Sequence, residues 1–378
     1  MKRLMAGVAV AALAAGCCCT CKQAADVAPK PFGTTKYGEA AHLWTLAGKG
    51  GLVMDVTDAG GKVVRLWVPD ASGELKDVTI GFDDVSGWER TDPYFGAIIG
   101  RFGNRIAGGT FALDGQTYTI AQNDAAHHAA LHGGTRGWDA YVWDAAPFTR
   151  GEDVGIVFSK TFPDGEEGFP GTVAVRVTYT ITPANVWRID YAATTDRPTP
   201  LNLTQHVYFN MDGEGTILDQ ELMIDADAYL AVDADLAPVP GAPRPVEGTP
   251  FDFRTFRTIG ARIDDPDPVL QYGPGYDHNW CLNGTGFRKV AELRGKKRAV
   301  EVWTDQIGLQ FYAGNFIDNA WTMKGGAPMR YRGWLALETQ HWPNTPNRPD
   351  FPSVTLRPGE TYRTATEYRF TTAGRILD

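Results

Sequence analysis

A carboxylate and an imidazole stand in two alternating segments of this sequence, and such a pair can accept and donate protons near neutral pH. In residues 201–208 (LNLTQHVY), Leu201 and Leu203 fall on one side of an extended chain, while Asn202, Thr204, His206 and Tyr208 fall on the other. In residues 334–340 (WLALETQ), Leu335 and Leu337 share a face, and Glu338 and Gln340 point oppositely. In residues 307–312 (IGLQFY), Ile307, Leu309 and Phe311 form the apolar side and leave Gln310 on the other. Period-two geometry therefore allows His206, Glu338 and Gln310 to line one polar surface of a sheet whose back is core. Spacing alone leaves open whether the three strands are neighbours. Outside such a surface, His206 would be a hydrogen-bonded structural histidine and Glu338 a solvated carboxylate.

The elements that must hold these residues are strands. Val, Val, Val, Tyr and Ile occupy the odd positions of residues 173–181, with Ala, Arg, Thr and Thr between them. Residues 187–195 alternate in the same way after Thr182-Pro183-Ala184-Asn185, so the two segments read as a hairpin with one buried face. Similar alternation recurs at 63–68, 110–120, 300–312, 334–340 and 362–370, and long capped amphipathic helices are missing. The chain has 378 residues, is 43% hydrophobic and carries 43 Gly and 24 Pro, which fits many short strands and turns around a sizeable core. The Pro-rich stretches 236–250 and 264–275 read as surface loops. Together these features predict an all-β chain forming one large antiparallel β-sandwich over residues 37–378. A net charge of −9 gives a phosphate backbone no general reason to bind, so nucleic acid is not an expected partner.

The N-terminus reads as a targeting segment. Lys2 and Arg3 precede an apolar run over 4–15 that is too short to span a bilayer, so residues 1–16 read as a signal peptide. Leu13-Ala14-Ala15-Gly16-Cys17 resembles a bacterial lipoprotein processing site, although Ala14 stands where Leu is usual. Cys17 is thus the expected lipidation site. Residues 17–36 would form a tether, and the protein would be exported to the periplasm or cell envelope and meet the membrane only through its lipid. Cys17, Cys18, Cys19 and Cys21 crowd this leader, and Cys281 stands apart as a small buried hydrophobe, so no internal disulfide supports the body.

Seven motifs in order resemble the aldose 1-epimerase (galactose mutarotase) family over about residues 40–370. They are YFGAIIGRFGNRI (94–106), LHGG (131–134) with GWD (137–139), PDGEEGFPG (163–171), NLTQHVYFN (202–210), YDHN (276–279), LQFYAGN (309–315) and LETQHWP (337–343). The resemblance implies the family's mutarotase-like supersandwich and interconversion of the α- and β-anomers of free hexoses such as galactose and glucose. Anomer exchange needs the C1–ring-oxygen bond broken and reclosed on the other face of the aldehyde, with a base at the C1 hydroxyl and an acid at the ring oxygen. By similarity, Glu338 is the general base and His206 the general acid. Asn104, Arg105, His132, Asp277 and Gln310 would bind the sugar, and Tyr208 would wall the pocket. The chemistry needs no metal and no organic cofactor.

Two other readings use the same residues. A non-catalytic carbohydrate-binding protein of the envelope would need Asn104, Arg105 and Asp277, but not the His206–Glu338 pair. A glycan-cleaving hydrolase would pair Asp277 with Glu338, whereas the resemblance gives Asp277 a binding role. Gln205 and His341 stand where relatives often carry Asn, which bears on which sugar fits. His127, His128, His278 and His341 are read as structural or exposed.

Overall fold

The computed structural model describes residues 28–91 and 94–373. The leader, Cys17 included, lies outside the described residues. Three antiparallel sheets carry most of the strands. The largest runs, in spatial order, through Asp144–Arg150, Asp153–Phe162, Val173–Ile181, Val186–Thr195, Tyr362–Thr372, Arg298–Thr304, Arg288–Arg294, Glu221–Ile224 and Arg257–Thr258. A six-stranded sheet follows the order Tyr208–Phe209, Leu335–Gln340, Gly308–Tyr312, Asp277–Cys281, Ala228–Tyr229, Arg244–Pro245. The third consists of Lys30–Thr34, Ala40–Ala47, Val53–Thr57, Val63–Pro69 and Leu75–Asp77.

Period-two patterning explains how these sheets pack. Val173, Val175, Val177, Tyr179 and Ile181 are all buried, while Ala174 and Arg176 face solvent. Trp187, Ile189 and Tyr191 do the same on the paired strand. One continuous core joins these residues to Met54 and Leu66 of the five-stranded sheet and to Trp280, Leu309, Phe311, Leu335 and Leu337 of the six-stranded one. Each large apolar side chain buried there contributes roughly 1.5–3 kcal/mol, so the apolar back of the six-stranded sheet fixes which face its polar residues must take.

Several segments depart from the sequence reading. The alternation over 110–120 folds back at Asp114-Gly115, both with positive φ, as a hairpin of Thr110–Leu113 on Gln116–Thr119. The run 300–312 is two strands in different sheets, because the chain crosses from one sheet to the other after Thr304. The stretch 201–208 is two short bridges with His206 between them. Within the stretch read as tether, Lys30–Thr34 forms an edge strand on Ala40–Ala47. Phe32 is what anchors it: its ring is buried 6.0 Å from that of Trp88, and its carbonyl accepts from the Val85 N–H at 3.1 Å. Of the two Pro-rich stretches, 264–275 contains a short helix, Pro268–Tyr272, whose first turn is capped by the Asp267 carboxylate. No helix among the described residues is long and apolar enough to cross a membrane.

Candidate active site

Strand register assembles the polar surface. Gln310 stands opposite both Glu338 and Asn279 on its two neighbours, and residues directly opposite in antiparallel strands share a face. Asp277, two residues before Asn279, and Tyr208, opposite Ala336, join the same face. Leu309, Phe311, Leu335 and Leu337 take the reverse face in the core. His206 reaches this surface from the bridge segment, which is locked to the first motif: Thr204 and Gln205 pair with Ile99 and Ile98, and the His206 N–H donates to the Ala97 carbonyl at 2.9 Å.

The result is a buried acid–base pair. His206 Nε2 lies 3.6 Å from Glu338 Oε1, with the two residues only 5% and 2% exposed. The imidazole lies nearly parallel to two aromatic rings, Tyr208 at 5.0 Å and Tyr94 at 6.1 Å. Burial pushes the His206 pKa down to about 3.

His132 stands beside this pair, its ring centroid 5.0 Å from that of His206. Asn104 and His132 both adopt positive φ, in two turns built to approach each other. The Asn104 side chain accepts from the Arg105 N–H at 2.8 Å, which stabilises its left-handed conformation. Gly133 has φ +97°, and a Cβ there would stand 2.1 Å from the Gly100 carbonyl oxygen, so the LHGG turn can close on the first motif only with glycine. The PDGEEGFPG motif clamps the same region: Arg101 donates to the carbonyls of Pro170 and Gly171 at 2.8 and 2.7 Å, and Glu167 accepts from the Thr135 N–H at 2.8 Å.

His132 Nδ1 accepts a hydrogen bond from the Asn104 backbone N–H at 3.1 Å. Neutral His132 therefore carries its proton on Nε2 and presents a donor. This bears on a metal reading, because His132, His206 and Glu338 bring possible ligand atoms within 4.8 Å of one another. A metal needs a lone pair on the free ring nitrogen, and His132 offers an N–H there. The same N–H suits a sugar oxygen.

Further polar groups surround the pair. Gln310 Nε2 donates to Asp277 Oδ1 at 2.7 Å, and Arg105 Nη1 lies 3.7 Å from Asp277 Oδ2. Gln310 Oε1 and His206 Nδ1 are buried without a hydrogen-bond partner, a cost of about 1–3 kcal/mol each that bound hydroxyls would relieve. All eight site residues read from the sequence thus fall in one region: His206, Glu338, Asn104, Arg105, His132, Tyr208, Asp277 and Gln310. Tyr94 was missed as a site residue although it opens the first motif. It packs edge-on to His132 at 4.7 Å as well as lying parallel to His206.

Gln205 and His341 stand outside the acid–base pair. The Gln205 amide donates to the Gly96 carbonyl and to the Tyr179 hydroxyl, behind the site. The His341 N–H donates to Asn202 Oδ1 at 2.9 Å, tying the end of the Glu338 strand to the His206 segment. His278 is structural: its Nδ1 accepts from the Asp277 N–H and its Nε2 donates to the Val269 carbonyl, each at 3.0 Å. Burial raises the Cys281 thiol to about 12, consistent with an inert packing residue.

The buried histidines give a pH signature. Burial lowers His132 and His341, His206 to about 3 and His278 to about 4. The unfolded chain binds protons at these sites near pH 6.5 and the folded chain does not. Their contribution is therefore complete above pH 6.5 and lost as pH falls toward 4, at about 1.4 kcal/mol per unit for each group fully in its window. Burial raises Asp58, Asp139 and Glu166 and so opposes this trend in part. Urea melts are expected to show stability falling by about 2 kcal/mol or more between pH 7 and 5, and an unchanged midpoint would contradict the burial of these imidazoles in neutral form.

Comparison with known proteins gives one consistent result. The aldose 1-epimerase family profile matches residues 42–369. A galactose mutarotase from Pongo abelii is 42% identical over 327 residues, covering 85% of this chain and 92% of that protein. An aldose 1-epimerase from Escherichia coli (strain K12) is 36% identical over 348 residues, covering 88% and 96%. Among solved structures, an aldose epimerase homologue from C. elegans superposes with a TM-score of 0.79 at 29% identity, covering 88% of this chain and 99% of its own. A galactose 1-epimerase from Lactobacillus acidophilus NCFM gives 0.80 at 25% identity, covering 91% and 98%.

Proposed function

The chain belongs to the aldose 1-epimerase family, and from that premise we propose that it is an exported mutarotase acting on free hexoses such as galactose and glucose. It is an isomerase. The observation that carries the reading is the buried His206–Glu338 pair, 3.6 Å apart, on a surface lined by sugar-binding groups. A protein that only captured sugar would need Asn104, Arg105 and Asp277 and would have no use for the pair.

The residues supply the reaction without a net change in protonation. In the proposed sugar complex the pair holds one proton, which burial keeps off His206 in the free protein; Glu338 takes the C1 hydroxyl proton while protonated His206 gives its proton to the ring oxygen, and the C1–ring-oxygen bond breaks. The open aldehyde turns about C1–C2 by about half a turn, and the two transfers run backwards on the other carbonyl face. The pair again holds one proton. His132 donates through Nε2 to a sugar oxygen, and Arg105, Asp277 and Gln310 hold hydroxyls through charge-assisted and neutral hydrogen bonds. Fixing the ring while C1 turns is the positioning part of the catalysis.

Polarimetry tests this directly. Fresh α-galactose and α-glucose are each expected to approach their equilibrium rotation many times faster with protein than in buffer. Rates equal to buffer for both sugars would overturn the reading.

The leader supports export, because a basic start, a short apolar run and Cys17 match a lipoprotein signal. Twelve residues lie between Cys17 and the strand that begins at Lys30, a reach of up to about 45 Å for extended chain. In this proposal several acyl chains on Cys17 hold the enzyme at the envelope. Cys17→Ser is expected to move it from the membrane to the soluble fraction, and unchanged membrane association would contradict lipidation there.

A further inference from the structure

Arg105 sits between two carboxylates. Its Nε–H donates to Asp124 Oδ2 at 2.8 Å, while its Nη1 is 3.7 Å from Asp277 Oδ2. Asp124 is held from behind: His127 Nδ1 lies 2.8 and 2.9 Å from its two carboxylate oxygens. The backbone holds it too. The Asp124 N–H donates to the Ala129 carbonyl at 3.1 Å, and the Asp124 carbonyl accepts from Ala129 at 3.2 Å and from His127 at 3.2 Å. This closed loop leads directly into Ala129–Leu131, the strand paired with Arg105–Ala107, so the backbone fixes Asp124 relative to the arginine it binds.

The geometry has an electrostatic consequence. A guanidinium free to turn would form a two-point pair with the nearest carboxylate, and Asp277 is close enough to serve. Such a pair would spend the hydrogen-bonding groups of both residues on each other. Asp124 competes for the Nε edge and keeps Arg105 at 3.7 Å from Asp277, longer than a hydrogen bond. Burial pushes the Asp124 carboxyl up, but the Arg105 charge and the bonds from His127 and Arg105 outweigh it and hold the group below its ordinary value, so it stays ionised.

We infer that Asp124, braced by His127, is a positioning residue that holds the Arg105 guanidinium off Asp277, leaving both free to bind sugar hydroxyls. The inference rests on the reading of Arg105 and Asp277 as sugar-binding groups. It also gives His127, taken from sequence as structural or exposed, a part in the site.

Because Asp124 acts on binding and not on proton transfer, its loss should separate KM from kcat. Asp124→Asn is expected to raise KM for galactose about tenfold by polarimetry, with kcat within about threefold. His127→Gln should shift KM in the same direction by less. In an Arg105→Ala background, which itself raises KM, Asp124→Asn should add nothing further, since the group it positions is gone. An unchanged KM in Asp124→Asn, or an effect that persists in full without Arg105, would overturn the inference. An unchanged KM in Arg105→Ala would instead strike the binding assignment on which it rests. If Asp124→Asn does not fold, His127→Gln carries the same cycle.

Discussion

Glu338→Gln is expected to lower kcat about a thousandfold while the protein stays folded. The substitution keeps the size of the side chain and removes its capacity to accept a proton. A positioned general base contributes about 10²–10⁴ in rate, and Glu338 is the carboxylate of the acid–base pair, fully inside the sheet. The strand around it is secured independently of its charge, by ladder pairing from Gly308–Gln340 to Tyr312–Ala336 and by Leu335 and Leu337 in the core. Thermal melting should therefore be unchanged or raised, since a buried carboxylate is costly to desolvate. Sugar binding should persist through Arg105, Asp277 and Gln310. A loss of less than about tenfold would remove Glu338 from the proton transfer.

His206→Asn should cost about a hundredfold or more in kcat. Burial disfavours the imidazolium, so a proton placed on His206 is given up readily, and Glu338 Oε1 lies 3.6 Å from its Nε2. The proton thus belongs to the pair. Asparagine can reach a sugar oxygen but cannot hand over a proton at these pH values. The loss should be smaller than for Glu338 if water can partly protonate the ring oxygen. Removing the imidazole that stacks with Tyr94 and Tyr208 also removes packing, so the variant should lose about 1–3 kcal/mol of stability without unfolding. Ordinary turnover in His206→Asn would show that another group protonates the sugar.

Local pattern made much of this site legible, and distant packing set the rest. Val173–Ile181 and its partner strand were readable because their alternation is strict and their turn is short. The facing of Glu338 and Gln310 followed from the apolar residues on either side of each. The direct pairing of Gln310 with Glu338 did not, because strand order is decided by which apolar faces meet across the core. The crossing after Thr304 falls where the apolar positions change parity, from Val300 and Val302 to Ile307, Leu309 and Phe311, a break the reading of one continuous run passed over. Lys30–Thr34 was read as tether from its Pro and polar residues, since the burial of Phe32 depends on Val85 and Trp88 far along the chain. Asp124 gave no signal. An aspartate before two alanines reads as an ordinary turn residue until Arg105 is placed beside it.

The most direct measurement of the shared-proton mechanism is a double-mutant cycle on kcat by polarimetry, combining Glu338→Gln with His206→Asn. Two groups that act as one unit cannot be lost twice, so the double variant is expected to retain a rate within about threefold of Glu338→Gln alone. Losses that multiply in full would show that the two residues act independently and would contradict a proton exchanged between them across one sugar.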